Sequence, residues 1–145
     1  MNHLIVLLLH LLAAFIFVGM VFFEVLMLEG IRAHVPHDAM RSIEIAIGQR
    51  ARKFMPYVII VLYGAGITMA WGYRAVLAHP FDSMLGGLLT LKILLALSVL
   101  VHFIIAIRGS AKGTLKARAF KNIHRSVFIH MVFIIILAKA MFYLN

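Results

Sequence analysis

The sequence predicts an all-α integral membrane protein. It reads as one domain over residues 1–145, an antiparallel bundle of four transmembrane helices running up-down-up-down. Three observations carry this. Hydrophobic residues make up 64% of the chain and its mean hydropathy is +1.05, more apolar than a soluble domain of this length allows. Four apolar runs each reach the roughly 20 residues that a bilayer requires. Basic residues gather on alternate connections, the pattern of the positive-inside rule.

The first helix is expected at about 3–30 and contains LLLHLLAAFIFVGMVFFEVLML, residues 7–28. It reads as a retained helix and not as a cleaved leader, because no basic start or small-residue cleavage pattern precedes it. The connection that follows, about 31–53, holds Arg32, Arg41, Arg50, Arg52 and Lys53. Within it, DAMRSIEIAIGQRARKF has helical spacing; it extends the second helix or lies along the interface.

The second helix is expected at about 54–75. The connection after it, RAVLAHPFDS, carries one Arg. The third helix is expected at about 84–108, followed by RGSAKGTLKARAFKNIHR with Arg108, Lys112, Lys116, Arg118, Lys121 and Arg125. The fourth occupies about 124–144. The first and third connections are therefore expected in the cytoplasm. Both termini are expected on the periplasmic side of a bacterial inner membrane. Gly19, Gly64, Gly66, Gly72, Gly86 and Gly87 are expected to allow close helix approach, and Gly-lined faces suit a homodimer. Trp71, Tyr73 and Tyr143 suit an outer aromatic belt.

The chain has no cysteine, so thiolate metal sites and disulfides are excluded. Its net charge of +9 is explained by topology, so nucleic acid is not an expected partner. Membrane lipids are.

Ionisable groups inside a span are costly and mark function. They are His10 and Glu24 on the first helix, Lys92 and His102 on the third, and His130 and Lys139 on the fourth. At 1.5 Å per residue, His10 and Lys92 form an outer layer, and His102, His130 and Glu24 an inner one. His3, His10, Phe17 and Glu24 follow a seven-residue spacing and are expected on one face. Lys139, near the outer boundary, is expected to snorkel. His3, His34, His37, His79 and His124 lie at ends or in loops.

Imidazoles on facing membrane helices are a usual way to hold haem b, because iron takes neutral imidazole as an axial ligand and the porphyrin needs a dry slot. His10, His102 and His130 are the candidate ligands, for one or two haems, and Arg74, Arg108 or Arg125 could receive propionates. A second reading is a copper or other metal site of Glu24, His102 and His130. A third is proton-coupled transport through Lys92 and Glu24.

The segments LLLHLLAAFIFVGMVFFEVLML, RKFMPYVIIVLYGAGITMAWG and LKILLALSVLVHF resemble, in order and spacing, the first three helices of the HemJ-type protoporphyrinogen oxidase family and of related CopD-like membrane domains. The resemblance implies a four-helix haem b protein. Its essential helix-1 His and helix-3 Lys match His10 and Lys92, and its later helix-3 His matches His102. It implies an oxidoreductase acting on protoporphyrinogen and passing electrons to a membrane or quinone carrier; the CopD-like branch implies copper handling. Departures from the oxidase pattern fall at Phe17, at Glu24, and at HRSVFIH, where His130 is an added imidazole that points to haem binding or a dihaem arrangement.

Overall fold

A computed structural model describes residues 3–114 and 116–144. The chain is all-α, with no strand among the described residues, and four of its helices are long and apolar enough to cross a membrane. These are α1 (His3–His34), α2 (His37–Gly72), α4 (Met84–Ala111) and α5 (Ala117–Tyr143); a short α3 (Arg74–Ala78) lies between α2 and α4. Packing divides the chain into two compact units, Met1–Ala70 and Trp71–Asn145.

Two helices are longer than the hydropathy alone suggests. α2 begins at His37, not near residue 54, so the amphipathic connection continues the helix and only Val35 and Pro36 separate it from α1. α5 begins at Ala117 instead of about 124. In both cases the added turns are rich in Arg, Lys and Ala, good helix formers that an apolarity threshold discards.

In the first unit, α1 changes pitch. Phe23–Leu28 is π-helical, and Arg32–His34 tightens to a 3-10 turn before the chain reverses. Val6, Ala13, Phe17 and Val21 form the buried stripe of α1, with His10 half-buried on it. His3 is exposed, and Glu24, in the wider π turn, is half-buried. The expected seven-residue spacing thus runs from an exposed His3 at the helix start through a half-buried His10 and a buried Phe17 to a half-buried Glu24. The pair runs antiparallel: Arg32, late in α1, binds Glu44, early in α2, while His10, early in α1, reaches Leu62, late in α2. Arg32 Nε also donates to Glu29 at 3.0 Å.

In the second unit, α4 and α5 are the most closely packed pair. Ser83 caps α4, its hydroxyl accepting from the Gly86 amide at 3.0 Å. A Cβ on Gly86 would lie 2.8 Å from the Pro80 carbonyl oxygen, so glycine lets the Pro80 loop close over the first turn. Gly113, at φ 65°, ends α4 in the left-handed conformation, and the Thr114 amide returns to the Gly109 carbonyl at 3.0 Å. Of the glycines expected to admit a neighbouring helix, only Gly66 does so; Gly86 and Gly87 face the Pro80 loop, and Gly19, Gly64 and Gly72 have open space where a Cβ would be.

The apolar surface points outward, as lipid-facing helices require. Phe15, Ile60, Ile67 and Phe133 are more than half exposed, and no polar side chain is fully buried among the described residues. Trp71 and Tyr143 are exposed, and the Arg74 guanidinium lies 5.9 Å from the centre of the Trp71 ring, a cation–π contact. Lys139 is exposed.

Candidate functional site

The three histidines expected in the spans share one feature. Each sets its Nδ1 against a backbone carbonyl. A carbonyl only accepts, so Nδ1 carries the proton, and in the neutral ring Nε2 carries the lone pair.

His10 does this across the helix pair. Its Nδ1–H donates to the Leu62 carbonyl of α2 at 3.0 Å. Gly66, one turn further along α2, makes the approach possible: a Cβ there would sit 3.3 Å from His10 Cε1 and 3.5 Å from Nδ1. The missing side chain is the space into which the ring fits.

His102 and His130 do it within their own helices. His102 Nδ1–H donates to the Ser98 carbonyl and His130 Nδ1–H to the Ser126 carbonyl, each at 2.7 Å. The serines then cross the pair. The Ser126 hydroxyl donates to His102 Nε2 and the Ser98 hydroxyl to His130 Nε2, each at 3.2 Å. The result is a closed circuit of four hydrogen bonds through two serines and two histidines. The ring centroids are 5.6 Å apart. The local sequence explains it: SVLVH (98–102) and SVFIH (126–130) place Ser and His one turn apart on each helix, and antiparallel packing sets each Ser opposite the other helix's His. The valine after each serine, Val99 and Val127, is buried.

This recurrence is the signal that hydropathy reading misses. The serines carry no charge and do not interrupt an apolar run, yet they satisfy both imidazoles. Gly66 and the Leu62 carbonyl were equally silent, since nothing in the sequence links residue 10 to residues 62–66.

The remaining candidates stand apart from these contacts. Lys92 is half-buried on α4. Thr90, two residues before it, has a buried hydroxyl with no hydrogen-bond partner among the described residues. Glu24 lies on α1 in the first unit, and His102 and His130 on α4 and α5 in the second. Among the described residues no three His, Asp or Glu side chains gather in a way that would hold a metal ion. His124, on the basic end of α5, donates through Nδ1 to the Phe120 carbonyl at 3.0 Å and stacks on Phe120.

The donor chemistry suits a metal ligand at His10: the proton sits on Nδ1, the ring orientation is fixed by a backbone carbonyl, and Gly66 admits the ring against α2. At His102 and His130 the same tautomer is present, but the rings are too close for a macrocycle between them while both serine contacts are made. That pair suits a small ion or a proton.

Comparison with family models, with characterised proteins and with solved structures returns no match to this chain.

Proposed function

We propose that this chain is a haem b-binding redox protein of the bacterial inner membrane, working in electron transfer or in porphyrin oxidation of the HemJ kind. The observation that supports it best is the anchoring of His10 through Nδ1 to the Leu62 carbonyl beside Gly66, the orientation that metal-ligating histidines adopt. Bound haem would supply one-electron chemistry. His10 would hold the haem through Nε2, its ring kept from rotating by the bond to the Leu62 carbonyl. Lys92, assigned on the family resemblance, would meet a propionate or an anionic substrate with its ammonium. In a bilayer the exposed apolar side chains beside His10, Leu9 and Leu11 among them, would keep water away. Electrons would leave to a membrane or quinone carrier, and the chain would act as a homodimer with its termini in the periplasm.

The test is the visible spectrum of the purified protein, oxidised and reduced. A Soret peak and sharp reduced bands, lost in His10→Ala, are expected. Colourless protein expressed with ample haem supply contradicts the reading.

A second reading is favoured by the close imidazole pair: copper or another metal bound by His102 and His130, in the manner of CopD-like domains. Here colourless protein would carry stoichiometric metal, lost in His102→Ala and His130→Ala.

A further inference from the structure

An open groove of about 370 Å³ runs between α1 and α2. Met20 and Phe23 of α1 form one wall, and Ala46, Ile47, Ala51 and Phe54 of α2 the other. The lining is apolar except for Arg50. Phe23 belongs to the π-helical stretch, where the wider turn changes the spacing of side chains against α2. From Ala46 to Phe54 the groove extends about 12 Å along the helix axis.

We propose that this groove binds one anionic phospholipid, its phosphate on the Arg50 guanidinium and an acyl chain along Ala51, Phe54 and Met20. The placement argues for it. Phe54 opens the apolar run of α2, and Arg50 stands one turn before it, at the level where headgroups meet hydrocarbon. The apolar walls continue from there into the span. Charge agrees: Arg41, Arg50, Arg52 and Lys53 make this end of α2 basic, and such juxtamembrane segments draw anionic lipid. A zwitterionic headgroup gains less from the same guanidinium, and a plain hydrocarbon ligand gains nothing from it. The proposal does not depend on haem binding.

The experiment uses the full chain purified in detergent and equilibrated with equal phosphatidylglycerol and phosphatidylcholine of identical acyl chains. Retained lipid is read by native mass spectrometry. The wild type is expected to prefer phosphatidylglycerol about fivefold, the factor for one basic side chain near an anionic headgroup. Arg50→Gln is expected to bring the two lipids to parity. Arg41→Gln, about 13 Å away along the same helix, is expected to keep the preference. Ala46→Phe, which fills the groove, is expected to reduce retention of both lipids; Ala51→Phe repeats the test at a second position should the first variant lose its helical circular dichroism. Equal retention by the wild type overturns the proposal. So does a preference that survives Arg50→Gln, or one that Arg41→Gln removes equally. Loss of a dimer in Ala46→Phe without change in retained lipid assigns the groove to a second copy and also overturns it.

Discussion

The hydroxyl of Ser98 on α4 donates to Nε2 of His130 on α5 at 3.2 Å, and Ser126 and His102 repeat the same bond in the opposite sense. The two bonds lie one turn apart on each helix, so they fix both the direction and the register of the α4–α5 pair. A slip by one residue would break both serine–Nε2 bonds and leave only the intrahelical Nδ1 bonds. Ser98→Ala is therefore expected to destabilise the protein by about 0.6 kcal/mol, the average for interhelical side-chain bonds in membranes, and by no more than about 1.7 kcal/mol. Ser126→Ala should do the same. The double variant should depart from additivity, because the bonds share one circuit. Reversible unfolding in micelles measures all three; additive effects near zero would mean that the register is held by Val99 and Val127 alone.

Gly66 should govern the position of His10. A Cβ at residue 66 would meet His10 Cε1 at 3.3 Å, tighter than ordinary contact, so Gly66→Ala moves the ring by tenths of an ångström and Gly66→Val expels it. Haem content of the purified protein is expected to fall modestly in the first variant and severely in the second. Gly64→Ala is the control, since a Cβ there meets nothing within 4 Å. Equal haem content in all three would separate His10 from the cofactor.

A third prediction concerns the mouth of α4. Gly86→Ala places a Cβ 2.8 Å from the Pro80 carbonyl oxygen, a backbone atom that yields only if the loop shifts. A loss of about 1–3 kcal/mol is expected, as for overpacking elsewhere. Gly87→Ala, at 3.7 Å from the same oxygen, should be near neutral. Ser83→Ala removes the cap on the Gly86 amide and should cost about 1 kcal/mol. Thermal denaturation of the three variants in one detergent ranks them.

Much of this was readable from the residues. The four spans followed from apolar length, and the half-buried His10 followed from its spacing to Phe17. The helical spacing of DAMRSIEIAIGQRARKF was legible, and of its two readings the structure takes the first: residues 37–53 continue the second helix, with Arg, Lys and Ala as helix formers that hydropathy does not register. The π turn at Phe23–Leu28 left no trace in the composition. The site was half legible. Each imidazole stood out as an ionisable group in oil, whereas its partner was a backbone carbonyl, a hydroxyl or an absent Cβ, and none of these stands out from an apolar run. The recurrence of Ser-Val-x-x-His was visible, but its meaning depends on the antiparallel register that only the structure supplies.

The orientation expected from the charge pattern is open to a direct check. The chain has no cysteine, so a single introduced thiol reports its own side. Asp82→Cys, in the connection with one Arg, is expected to react with a membrane-impermeant maleimide in intact spheroplasts. Lys112→Cys, in the connection rich in Lys and Arg, is expected to react only after lysis. The reverse pattern would invert the topology.

The central claim is that His10 offers Nε2 to a haem iron. His10→Gly leaves a cavity that free imidazole fills, so the decisive measurement is the reduced-minus-oxidised spectrum of this variant with and without added imidazole. The account predicts loss of the haem bands in the variant and their return with imidazole. Wild-type bands in the unsupplemented variant would contradict it.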